Sequence, residues 1–171
     1  LPFDRAPDAF VDRDGKHVVS IKQAGAEPLQ RPTGLTVSPR DKTLYVVDTL
    51  ANRVHAFTTA GDFLFSFGEP GEKRGQFNFP THIVSHSNGN IYVTDAMNFR
   101  VQIFTARGSF LASFGHHGNG SGDFSMPKGI AVDKEGVIYV VDTLFDNVQL
   151  FNLSGAFLFT IGARGGGLGE F

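Results

Sequence analysis

The sequence has no cysteine, no tryptophan and only 2 methionines, and neither sign of charge dominates: 15 lysines and arginines face 17 aspartates and glutamates, a formal net charge of −2. Without cysteine there can be no disulfide, no thiolate zinc site and no thiol nucleophile, although either redox compartment is compatible with such a chain. The near balance of charge supplies no broad basic face of the kind that nucleic-acid affinity rests on, so no nucleic acid is expected as a partner. No apolar run approaches the roughly 18 residues of a spanning helix, and the first residues lack the charged and then apolar shape of a signal peptide, so no membrane span is expected. What the chain does have in quantity is glycine and phenylalanine, 21 and 18 of its 171 residues. Both call for a structural cause.

An internal repeat provides one. Shifted by 47 positions, the sequence aligns Tyr45, Tyr92 and Tyr139; Asp48, Asp95 and Asp142; Phe57, Phe104 and Phe151; and Gly68, Gly115 and Gly162. Each unit opens on a proline (Pro32, Pro80, Pro127) and the first turn, Ser38 to Lys42, carries one extra residue. Within a unit, four runs of β-branched and aromatic residues are bounded by Gly, Asn, Asp or Pro: Gly34 to Val37, Leu44 to Val47, Arg53 to Phe57 and Phe63 to Phe67 in the first. Those are strand signals, and no window sustains a helical apolar stripe for two turns. Four strands joined by tight turns make one antiparallel sheet, and a period of this length is that of a β-propeller blade. Small residues on the first strand (Gly34, Thr36, Ser38) suit a crowded axis, and Phe63, Phe65 and Phe67 are expected on one face of the fourth, filling the wider rim.

The segments Pro32 to Val37, Tyr45 to Thr49, Asn52-Arg53-Val54 and Gly61 to Gly68, with their later counterparts, resemble the NHL-repeat propellers. The second unit departs from that pattern at His82 and the third at Asn147. The resemblance implies an all-β ring of six four-stranded blades, of which this chain would hold about three and a half as an open arc: 1–31 as the end of a preceding blade, then 32–79, 80–126 and 127–171. In that end piece Phe10 and the run His17 to Ile21 read as strands joined across Asp14-Gly15. Open blade edges expose apolar flanks, so self-association is expected. The resemblance to bacterial NHL propellers, with the lack of cysteine, also points to an extracytoplasmic location.

Few residues suggest chemistry. Asp48, Asp95 and Asp142 are expected to accept backbone N–H bonds at their loops. The glycine-rich segments 68–75, 115–122 and 162–169 lead into no helix, so they read as connections between blades and not as phosphate cradles. His82 and His86 share a strand face but stand roughly 13 Å apart, too far for one ion. The resemblance extends to amidating lyases that hold zinc with several histidines; only one such histidine occurs here, so no cofactor is expected, and zinc or calcium would need ligands from other blades. His116-His117 reads as surface, with no partner in reach by sequence. No Ser, His and acid stand together as a set, and no nucleophile elbow occurs.

The expected function is therefore a non-enzymatic scaffold that binds a protein, peptide or glycan on its loop face; the alternative is a channel-centred metal-dependent lyase or hydrolase. The loops between second and third strands place Leu50, Met97, Phe99, Leu144 and Phe145 where the NHL pattern is small and polar, with Arg53 and Arg100 beside them. They form a binding rim or fold back onto neighbouring loops. His82 is the side chain expected to meet a ligand in the channel.

Overall fold

The structure, a computed structural model, describes residues 8–11 and 17–162. The Asp14-Gly15 turn, the segment 163–169 and Phe171 lie outside the described residues. After two short hairpins, β1 (Asp8–Val11) with β2 (His17–Ile21) and β3 (Gln23–Ala24) with β4 (Glu27–Pro28), come three sheets of four sequential antiparallel strands. The first blade is β5 (Pro32–Val37), β6 (Leu44–Asp48), β7 (Arg53–Phe57) and β8 (Phe63–Phe67). The second is β9 (Pro80–Ser85), β10 (Ile91–Asp95), β11 (Arg100–Phe104) and β12 (Phe110–Phe114). The third is β13 (Pro127–Val132), β14 (Ile138–Asp142), β15 (Asn147–Phe151) and β16 (Phe157–Ile161).

Inner strands of successive blades lie side by side, and between the first and second blades the close approach requires glycine at position 34. A Cβ on Gly34 would stand 2.7 Å from the Thr81 carbonyl oxygen and 2.9 Å from the His82 Cα, both backbone atoms that a flexing side chain cannot relieve. Thr33 and Thr36 close the same seam, donating to the Thr81 carbonyl and pairing with the Ser85 hydroxyl.

Between blades the apolar faces meet in separate cores. Tyr45, Val47, Val54, Phe77, Ile83 and Phe104 join the first blade to the second; Tyr92, Val101, Phe124, Ile138, Val140 and Phe151 join the second to the third. Each seam is tied by a tyrosine: the Tyr45 hydroxyl donates to the Ala106 carbonyl at 2.7 Å, and that of Tyr92 to the Leu153 carbonyl at 3.3 Å. Tyr139 turns instead to Asp133 of its own blade, at 3.0 Å. Ahead of the first blade, Val19 and Ile21 of β2 lie on the Gly61 turn where Phe67 lies on Gly108 and Phe114 on Gly155. β2 thus takes the place of an outer strand, paired to β1 through Phe10 and Val19.

The three phenylalanines of β8 do not share a face. A bulge where Phe57 pairs with Phe63 and Ala56 with Phe65 leaves Leu64 extra, and one extra residue inverts the alternation. Phe65 and Phe67 pack into the core toward the second blade, whereas Phe63 meets Phe57 on the opposite side, ring centroids 5.9 Å apart.

Candidate functional site

Each loop from second to third strand is clamped from within by a fully buried aspartate that also holds the chain leading into the blade. Asp48 accepts from the backbone N–H groups of Gln30 and Arg31, Asp95 from that of Asn78, and Asp142 from those of Ser125 and Met126. The bonds span 16 to 18 residues, so the aspartates staple an interblade connection to the blade it enters and do more than cap a local turn. Burial pushes the Asp95 carboxyl up, against the pull of the Asn78 N–H, Asn98 and Arg100. Burial acts on Asp48 as well, but His55 and the N–H groups of Gln30 and Arg31 outweigh it and hold that carboxyl below its ordinary range.

On this clamped backbone the rim residues divide. Leu50, Met97 and Leu144, equivalent in the three repeats, are 47, 45 and 58% exposed. Phe99, in a left-handed conformation, packs against the core between second and third blades and against the His117 ring at 4.4 Å; Phe145 is half-buried. His116 pairs with Asp123 at 2.9 Å, so both histidines of that loop have partners that sequence did not reveal. Arg100 is engaged: its guanidinium donates to Asp95 and to the carbonyls of Lys73 and Gln76, each bond between 2.8 and 2.9 Å. Arg53 is exposed, and its guanidinium makes no hydrogen bond or ion pair among the described residues.

The first blade differs from the others beneath that arginine. In the second blade Gln102 grips the incoming glycine-rich loop twice, accepting from Gly75 N–H and donating to the Gln76 carbonyl; Gln149 does the same with Gly122 and Asp123. His55 stands at this position in the first blade, and the incoming loop there is a residue shorter. Its closing bond runs from Leu29 to Lys22, where the later loops close from Phe77 to Glu69 and from Phe124 to His116. Folded as the β3–β4 hairpin, it leaves a cleft of about 370 Å³ lined by Glu27, Pro28, Gln30, Asp48, Arg53, His55 and Ser66. In the third blade Asn147 replaces the arginine and borders an opening of about 280 Å³, its Oδ1 buried without a partner among the described residues.

The cleft floor brings together a set that sequence reading missed. His55 Nδ1 lies 2.7 Å from Ser66 Oγ, and its Nε2 lies 3.7 Å from Asp48 Oδ2. These side chains come from three neighbouring strands, and only the register, with His55 opposite Ser66, aligns them. The His–Asp distance exceeds a hydrogen bond.

His82 is half-buried on the inner strand of the second blade, its Nδ1 without a partner among the described residues. Burial, and then the charge of Lys128, push the imidazole down, disfavouring its charged form. Among the described residues no three His, Asp or Glu side chains are grouped as one metal ion would require.

A family model of six-bladed β-propellers matches residues 80–143, the second blade and the first half of the third. The fold is that of a β-propeller. Propellers of known structure match most of the chain at low identity. A streptogramin B lyase is 15% identical with a TM-score of 0.64, over 86% of this chain and 45% of its own. A chain of the Kuenenia stuttgartiensis hydrazine synthase is 17% identical with a TM-score of 0.65, over 89% and 42%. A chain of a nidogen/laminin complex is 18% identical with a TM-score of 0.66, over 89% and 57%. This chain thus spans about half the length of the propellers it matches. No curated protein matches it in sequence. Likeness at this level carries the fold, and chemistry has to be argued from the site.

Proposed function

We propose that this chain is a binding module of NHL type, without catalytic activity, that holds a protein, peptide or glycan on the face formed by the loops between second and third strands. The observation that carries the reading is the row of Leu50, Met97 and Leu144: one exposed apolar side chain per blade, on a backbone fixed by a buried aspartate each time. Rigid presentation of apolar groups lowers the ordering cost of association, and exposed apolar patches on one rim mark interaction sites. The matched chain in a nidogen/laminin complex is consistent with such a role for a propeller. The combined variant Leu50→Ser, Met97→Ser, Leu144→Ser tests it. Peptide and glycan arrays probed with the wild-type chain should give ligands whose affinity falls at least about tenfold in the variant, with melting shifted by no more than about 3 °C. Ligands that bind both proteins equally would remove the rim from the reading.

The hydrolase reading rests on the row Asp48, His55 and Ser66. Against it, Ser113 and Thr160 occupy the Ser66 position opposite glutamines that hold the incoming loop, and the Asp48–His55 contact is long. The expected result with a fluorophosphonate probe is no covalent labelling of Ser66. Labelling that disappears in Ser66→Ala would establish a hydrolase.

A further inference from the structure

From the comparison of the three blades we infer that the cleft above His55 is a peptide-binding site, one that takes a short glycine-containing segment through its main chain. The second blade shows what such a volume accommodates. There the stretch Lys73 to Gln76 lies across the third strand, giving two carbonyl oxygens to Arg100 and Gln102 and one N–H, that of Gly75, back to Gln102. All these contacts are to backbone, so the recognition depends on the path of the peptide and on a glycine, and hardly on side chains. In the first blade the strand side of this arrangement persists while the loop side is withdrawn. Arg53 repeats Arg100 but has no partner among the described residues, Ser66 repeats Ser113, and His55 Nε2 occupies the place of the Gln102 amide. The cleft of about 370 Å³ that results is large enough for a few residues of peptide.

Charge at the site fits a main-chain ligand better than an anion. Among the described residues Arg53 is the one arginine or lysine lining the cleft, set against the Asp48 carboxylate at its floor and Glu27 at its edge. A peptide carbonyl can satisfy the guanidinium without bringing a further negative charge close to those carboxylates. The site does not depend on the apolar rim: Leu50, Met97 and Leu144 do not line it.

The protein carries its own probe. A synthetic peptide of residues 69–78, Glu-Pro-Gly-Glu-Lys-Arg-Gly-Gln-Phe-Asn, should bind the full chain and shift the amide resonances of Arg53, His55 and Ser66 in an NMR titration. Arg53→Gln should weaken the peptide about tenfold or more, the loss of a charged donor to two carbonyls. His55→Gln restores the donor and acceptor pair of the other blades and should tighten binding several-fold. A gain of this kind is not produced by a residue that merely fills space. No shift at these three residues with several millimolar peptide, equal affinity for Arg53→Gln, or equal binding of a variant peptide with both glycines replaced by valine would each overturn the assignment. The Leu50, Met97 and Leu144 variant should bind this peptide as the wild type does, so failure of one site is read independently of the other.

Discussion

Replacing Asp95 with alanine is expected to lower the melting temperature by roughly 6–20 °C, because removing one partner of a buried charge pair costs about 3–5 kcal/mol and each kcal/mol shifts a chain of this size by about 2–4 °C. Asp95 is fully buried and is the common acceptor of four donors: the Asn78 N–H, Asn98 Nδ2, Arg100 Nε and Gln102 Nε2. Alanine leaves all four without that acceptor, and the Arg100 side chain, only 14% exposed, keeps its charge. Asparagine still offers the Asn78 N–H an acceptor but loses the charge, so it should fall between. Calorimetry on the two variants checks the order, and a shift below about 3 °C for Asp95→Ala would show that water replaces the carboxylate at no cost.

Phe124→Ala should destabilise the protein by about 3–5 kcal/mol, the usual range for an emptied phenylalanine site. Phe124 comes from the connection between second and third blades, not from a strand, yet it is fully buried, with ring centroids 5.6 Å from Phe151 and 6.5 Å from Phe114. Its ring also lies against Gly115, where any side chain would collide with it. Phe124→Leu offers a control, because Leu29 holds the corresponding place in the shorter loop ahead of the first blade. A leucine should cost much less than the alanine. Equal unfolding midpoints in denaturant for Phe124→Ala and wild type would remove the connection from the core.

Much of this fold could be read directly because it is written three times. The tyrosine, aspartate and glycine spacings fix the period, and the strands Arg53–Phe57 and Phe63–Phe67 fall where alternation and turn residues place them. Side-chain direction past a bulge could not be read: Phe63 obeys the same alternation on paper as Phe65, and only the unpaired Leu64 separates them. The rim residues were legible as a departure from a polar loop, but Phe99 and Leu144 look alike until packing sets one against His117 and leaves the other outside. The Asp48, His55 and Ser66 row was hidden for a different reason. Its members are 7 and 11 residues apart and meet only once strand register is known. Arg53 and Arg100 are the same residue at the same place in the repeat, and a loop shortened by one residue gives them different surroundings.

The tyrosine ties have a consequence for how the protein comes apart. Within each blade every strand pairs with its neighbour in sequence, and the tyrosine bonds that cross a seam reach 61 residues, to the next blade and no further. Stability is then close to a sum over blades and the couplings between adjacent ones, as in a one-dimensional chain of units. Such a system need not melt in a single step. A blade that loses one coupling can open while its neighbours stay folded, and amide exchange would then report a separate opening for each blade in place of one global rate.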